Sequence, residues 1–157
     1  MNNRAQEDKI HPGMQKTYYV TNLYECESLW KALIKPECAS DLWDFRVRFQ
    51  NQFNNKPFFL VIEDNAGIGG MIPLSFVDDI NMYVLFPGEM WGKKTWLERT
   101  PLYARNSKFL YNLLNACPEN AYLRYLEIPE KIDFPELTLD EFISEEGLEL
   151  KALYVED

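Results

Sequence analysis

The chain has 157 residues, of which 46% are hydrophobic, 15% aromatic and 26% charged, and a formal net charge of −9. That length supports one hydrophobic core and not two full domains, and the composition is that of a globular protein rather than a disordered, collagenous or membrane-spanning one. The acidic balance argues against non-specific binding of nucleic acid or of an anionic membrane, because phosphates repel such a surface.

The charge is unevenly placed. Residues 1–118 carry thirteen basic and thirteen acidic side chains, whereas residues 119–157 carry twelve acids against Arg124, Lys131 and Lys151. Such a run is either a solvated face or a docking surface for a basic partner or another domain. The three cysteines, Cys26, Cys38 and Cys117, lack C-x-x-C spacing and read as buried, inert thiols in a reducing compartment. No apolar run approaches the roughly 18 residues of a membrane span, and the polar start has no signal-peptide core. The expectation is a cytoplasmic protein with a flexible arm over residues 1–16 and a single domain over residues 17–157.

In chain order, residues 17–23 (TYYVTNL) read as a strand. Leu29, Trp30, Leu33 and Ile34 recur at helical spacing until Pro36. Ser40 can cap a second helix with Leu42, Phe45 and Phe49 as its apolar stripe; Asp41 and Asp44 early and Arg46 and Arg48 late suit the helix dipole. FFLVIED (58–64), the turn NAG and IGGMIPLSF (68–76) form a hairpin in which Pro73 removes a ladder donor, so the second strand is bulged or meets its neighbour only partly there. Gly67, Gly69 and Gly70 read together as turn chemistry.

MYVLF (82–86) is a third strand of the meander, and residues 87–106 form a connection long enough to be a functional suspect. Ser107 caps a helix with Leu110, Leu113 and Leu114 inward, ended by Pro118. YLRYLEI (122–128), apolar on both faces apart from Arg124 and Glu127, reads as a central strand. Thr138 and Glu141 make a capping box, Gly147 a helix end, and LELKALYV a final strand. The order predicts a mixed α/β fold of the α+β kind: a mostly antiparallel sheet with helices on both faces.

Several strings carry a family likeness: Trp30 to Leu33 as W-x-x-L, a second helix reached through SDLWDF, the FFLVIED strand, Gly70, Pro73 and Leu74 as G-x-x-P-L, and LRYLEIP ending at Pro129. With the element order they resemble the GNAT superfamily of N-acyltransferases, and within it the first domain of the two-domain FemAB and CelD-like transferases. The resemblance implies a GNAT-like fold and acyl or aminoacyl transfer to an amine, with acetyl-CoA or another acyl-CoA as cofactor. The chain departs from the family pattern, since R/Q-x-x-G-x-G/A, whose N–H groups at a helix start hold the cofactor pyrophosphate, occurs nowhere in it. Among two-domain relatives the first domain typically lacks that loop, so the resemblance implies that this chain is the non-catalytic half.

Candidate chemistry is sparse. His11, the one histidine, lies in the polar arm and is not held near a nucleophile, and no His/Cys set has metal-ligand spacing. Asp78-Asp79 and Glu63-Asp64 read as solvated turn residues. The 87–106 segment mixes Trp91, Trp96 and Tyr103 with Lys93, Lys94, Arg99 and Arg105 against Glu89 and Glu98. Gly88, Trp91, Gly92, Lys93, Lys94, Trp96 and Arg99 are therefore the substrate or cofactor candidates, with Glu89 a candidate general base. The bland alternative is that the tryptophans anchor a long loop on the sheet.

Three functions stay open: a FemAB/CelD-type domain that positions substrate beside a second GNAT-like domain, a stand-alone N-acetyltransferase with a degenerate loop at residues 88–94, and a small acidic immunity-like or regulatory protein that meets a partner through its C-terminal acidic face.

Overall fold

A computed structural model describes residues 14–88, 99–123, 126–129 and 132. Among them the chain forms a mixed α/β fold with three α-helices and a mostly antiparallel sheet. The order is β1 (Lys16–Val20), α1 (Leu23–Leu33), a 3-10 turn (Ala39–Asp41), α2 (Trp43–Phe53), β2 (Lys56–Asp64), β3 (Gly67–Val77), a second 3-10 turn (Asp78–Ile80), β4 (Met82–Leu85), β5 (Thr100–Pro101), β6 (Tyr103–Ala104), α3 (Ser107–Ala116), β7 (Ala121–Tyr122) and β8 (Leu126–Glu127). Each strand and helix expected up to α3 is present, with β5 and β6 added inside the expected loop. The capping box at Thr138 and Glu141, Gly147 and the final strand lie outside the described residues, as does most of the arm. β1 begins at Lys16, the last residue assigned to that arm.

The sheet runs β1-β2-β3-β4-β7, antiparallel except for the parallel β4–β7 pair. Strand alternation sends successive side chains to opposite faces, and each face has its own core. Leu60, Ile62, Ile72 and Leu74 pack with Phe109, Leu110, Leu113 and Leu114 of α3. Phe59, Val61, Met71 and Phe86 pack with Cys26 and Trp30 of α1 and Trp43 of α2. Helices thus cover both faces, as expected.

The local differences have identifiable causes. Asn22 caps α1 by accepting from the N–H groups of Tyr24 and Glu25, so the first strand stops at Val20 and Leu23 is already helical. α2 starts two residues later than a Ser40 cap requires, because Ala39–Asp41 is a separate 3-10 turn and Leu42 stands at the cap without a side-chain bond. Its buried face is Trp43, Arg46 and Gln50; Leu42 is exposed, while Phe45 and Phe49 are only half-buried. The expected stripe of Leu42, Phe45 and Phe49 is therefore rotated away from the core, and Arg46 is an interior residue rather than a dipole partner. α3 is capped by Asn106, whose Oδ1 accepts from Phe109 N at 3.0 Å, and not by Ser107.

Of the three close glycines only Gly67, at φ +114°, serves the hairpin turn. Gly69 and Gly70 lie within β3, where a Cβ would come 2.2 Å from Phe109 and 2.5 Å from Leu113, so their lack of a side chain lets α3 sit down on the sheet. The hairpin's irregularity falls at Ile62/Glu63, not at Pro73, which stays in register with Phe59. On its other side β3 does meet its neighbour only partly: the β3–β4 ladder ends at Leu74↔Leu85. The strand expected at the centre is instead two short pieces, β7 and β8, with β7 the last strand of the sheet order. No described helix is long and apolar enough to cross a membrane.

Candidate functional site

The site forms where β4 leaves the sheet. Extending the β3–β4 register would bring Gly88 opposite Met71, but Tyr103 of β6 holds that position, with Ala104 opposite Gly70. The chain between is therefore an excursion out of one strand line. It returns as β5 before joining β3, so the expected continuous loop over residues 87–106 contains two short strands. β7 runs parallel to β4 for two residue pairs, Tyr83↔Ala121 and Val84↔Tyr122, and β8 then pairs with β5 through Thr100↔Leu126 and Pro101↔Glu127.

Arg46 ties the two ends of the excursion together. It is fully buried, 5.2 Å from the Trp30 ring, and donates to Ser40 O, to Phe86 O at 2.9 Å, to Thr100 Oγ1 at 3.0 Å and to Arg99 O at 2.9 Å. Burial pushes its guanidinium down to about 10, against the charge of Asp41, which raises it. Asp41 is itself 1% exposed. Its Oδ2 accepts from Glu37 N at 2.9 Å and Arg99 Nη2 at 2.5 Å, its carbonyl accepts from the Trp30 indole at 2.7 Å, and its Oδ1 stands 4.0 Å from Arg46. Asp41 Oδ1 and Arg99 Nε are buried without a hydrogen-bond partner among the described residues, so the ion pairs of Asp41 with Arg99 and Arg46 carry the compensation that burying these charges requires.

Arg99 carries the network to the surface. Its Nη1 meets the carboxylates of Glu37, at 3.3 Å, and Glu127. Burial alone would lower its pKa; the hydrogen bond and charge of Asp41, with Glu127 behind them, raise it well above the ordinary arginine value. Arg105 is committed elsewhere: it bonds Asp64 Oδ2 at 2.9 Å and the carbonyls of Gly67 and Ile68, and lies 4.9 Å from the Phe109 ring. Those bonds fix the hairpin turn to the start of α3 and hold the Asp64 carboxyl below its usual range. Asp64 is thus an ion-pair partner rather than a free turn residue, and Glu63 accepts from the Tyr18 hydroxyl at 3.3 Å.

A cavity of about 460 Å³ opens in front of Arg99, in the range of small-molecule sites. Leu102 to Arg105 around β6 line it together with Glu127, Pro129 and Ile132 at and after β8, and the end of α1, from Leu33 through Lys35 to Glu37, completes it. β6 pairs with β3 and β8 with β5, so the space lies between two strands that do not pair with each other.

The chain matches no family model, no curated protein and no solved structure. Function has to be argued from this geometry.

Of the sequence-derived candidates, Arg99 lines the cavity and Tyr103 stands beside it. Gly88 lies elsewhere, in a turn closed by its own N–H to Leu85 O at 2.8 Å; its φ of +119° and the approach of Asn55 leave no room for a side chain. Glu89, Trp91, Gly92, Lys93, Lys94 and Trp96 lie outside the described residues, as do His11 and all of the acidic C-terminal run except Glu119 and Glu127. Cys26 and Cys117 are buried as expected; Cys38 is exposed, its thiol 3.1 Å from Ser40 Oγ. No group of three metal-binding side chains occurs among the described residues. Sequence reasoning missed Arg46, Asp41, Lys35 and Glu37. The available signal was that Arg46 stands three residues after Trp43 and four before Gln50, on one helical face.

Proposed function

We propose that this chain is a GNAT-like domain of the FemAB/CelD type, which positions a substrate for acyl or aminoacyl transfer to an amine and leaves cofactor chemistry to a second domain. One observation carries the reading. An antiparallel run, β1-β2-β3-β4, gives way to a parallel neighbour, and the strand lines then part around a small-molecule cavity. The cavity lies beyond the parallel β4–β7 pair, between β6 and β8, where a transferase of this fold would bring an acceptor to an acyl group. The start of α3, where cofactor pyrophosphate would be held, is occupied by the chain's own side chains: Asn106 caps Phe109 N, and Arg105 is turned to Asp64 and two carbonyls. That favours positioning over stand-alone catalysis.

Amide-resolved NMR of the full chain tests this with two titrants. CoA should leave residues 106–109 unmoved, while members of a small-fragment library should shift amides of residues 33–37 and 101–105. CoA shifts at the start of α3 would instead make the chain a cofactor-binding transferase, and a cavity that takes no fragment would sink the positioning role.

A further inference from the structure

The strand lines around the cavity part where prolines interrupt their pairing. Pro101 has no N–H, so in the pair Pro101↔Glu127 it is Glu127 that turns its backbone N–H and C=O towards β5. Alternate residues of a strand face the same side, and the next to do so on that line is Pro129, which has no N–H to give. Its carbonyl accepts from Ile132 N at 3.0 Å, and the chain turns there. The β5–β8 ladder stops after Pro101↔Glu127.

The strand left behind keeps an edge without partners. Arg105 N donates to Gly69 O at 2.7 Å, so Gly69 with Arg105, and by the β3–β6 register Met71 with Tyr103, are the hydrogen-bonded pairs. Leu102 and Ala104 alternate with them. Their carbonyls and the Ala104 N–H therefore point away from β3, into the cavity that both residues line. No hydrogen bond to any of these three groups occurs among the described residues, although Leu102 is only 4% exposed. Backbone groups sheltered from water without partners are unfavourable, and a matching strand would satisfy them.

Both guanidiniums at the cavity are engaged, Arg99 by three carboxylates and Arg105 by Asp64 and two carbonyls. Pro129 and Ile132 stand across from the edge, and Leu33 and Ile34 supply an apolar end. Recognition falls to backbone hydrogen bonds and apolar contact, which are the elements of strand addition. The two carbonyls are two residues apart, about 7 Å along an extended strand, and that repeat is matched by another peptide chain.

We infer that the cavity is a strand-addition site, which takes a short, extended, uncharged peptide segment paired with Leu102 and Ala104, one apolar side chain lying against Ile34. The inference goes beyond the transferase reading and does not depend on it.

The test uses the full chain and the capped peptide acetyl-Ala-Leu-Ala-N-methylamide. In the free chain the Ala104 amide should exchange with solvent roughly tenfold faster than those of Tyr103 and Arg105, which β3 holds. Peptide at millimolar concentration should bind saturably, slow Ala104 exchange about fivefold and shift the amides of residues 33–34 and 102–105. Alternate amides of an added strand face its neighbour, so N-methylation of one of two adjacent peptide amides should weaken binding about tenfold while methylation of the other is tolerated. Ala104→Pro removes an N–H that β3 does not use and should lower peptide affinity about fivefold; Ala104→Gly should keep it. The methylation series carries the test without any variant. An Ala104 amide already slow in the free chain, equal effects of the two methylations, or absence of peptide binding overturns the inference. Small fragments entering a cavity that refuses the peptide would leave the substrate-positioning reading standing.

Discussion

The carbonyl oxygen of Phe86 accepts a hydrogen bond from Arg46 Nη1 at 2.9 Å, where an antiparallel ladder would have supplied the N–H of residue 73. Phe86 N–H donates to Pro73 O at 2.9 Å, which is one half of the reciprocal pair expected between facing residues. Proline has no N–H for the other half. The guanidinium takes its place, and with its remaining donors it gathers Thr100 and Arg99 at the far end of the excursion. One helix residue thus completes a broken ladder and closes the base of the segment that walls the cavity.

Removing that guanidinium leaves two buried acceptors, Phe86 O and Thr100 Oγ1, and two part-buried ones, Ser40 O and Arg99 O, without this donor, and takes the second cation from Asp41, which keeps Arg99. Arg46→Met should lower unfolding stability by about 3–5 kcal/mol, the range for breaking a buried charge set from one side. Arg46→Lys should recover only a small part, since a single ammonium cannot reach acceptors spread over Ser40, Phe86, Arg99 and Thr100. Urea unfolding of both variants measures this, and a loss below about 1 kcal/mol would show that Phe86 and Thr100 stay together without the clasp.

Pro73 and Arg46 should be energetically coupled. Pro73→Ala restores an N–H on the side of the strand that faces Phe86, so it should have little effect while Arg46 is present. In the Arg46→Met background it should return about 1 kcal/mol by giving Phe86 O a ladder partner again. A double-mutant cycle in urea reads the coupling directly, and strict additivity would mean that the two donors do not compete for that oxygen.

The order of elements and the two-faced sheet were legible because they rest on local signals: alternation in 58–64 and 68–76, helical spacing at Leu110, Leu113 and Leu114, and proline stops. Pro73 was legible as a ladder fault, though the donor that compensates was not. Arg46 and Asp41 read as ordinary dipole partners of a solvated helix, because nothing local marks a charge whose acceptors lie up to 54 residues away in sequence. Gly69 and Gly70 misled for the same reason. Their requirement comes from α3, forty residues downstream, and a turn beside them offered a nearer explanation. Arg99 was legible as a candidate and lines the cavity, but the cavity itself was not, because its walls come from the end of α1, β6 and β8, which only the fold brings together.

The glycine requirement can be tested against its cause. Gly69→Ala places a methyl 2.2 Å from the Phe109 ring, and Gly70→Ala places one 2.5 Å from Leu113. Each should cost about 1–3 kcal/mol through displacement of α3 from the sheet. Phe109→Leu shortens the first obstacle and leaves the second untouched, so it should offset part of the loss in Gly69→Ala and none in Gly70→Ala. Equal offsets in the two backgrounds would assign the cost to strand backbone rather than to helix approach.

Cys26 makes stability depend on alkaline pH. It is a fully buried residue of α1, and its thiol donates to Val20 O at 3.3 Å. Burial, helped by the negative charge of Glu25, raises its pKa from 9.0 to about 12. A group whose folded pKa is raised contributes stability that is complete below the unfolded value and is lost as pH climbs towards the folded one. The window is therefore pH 9 to about 12: the unfolded chain releases the thiol proton first, and unfolding is favoured accordingly. Cys26→Ala removes the titration at a cost of about 1 kcal/mol at neutral pH from the lost packing. Urea midpoints taken from pH 7 to about pH 10.5 should fall more steeply for the wild-type chain than for Cys26→Ala, narrowing the gap between them. Parallel curves would show that the thiol ionises as readily in the folded chain as in the unfolded one.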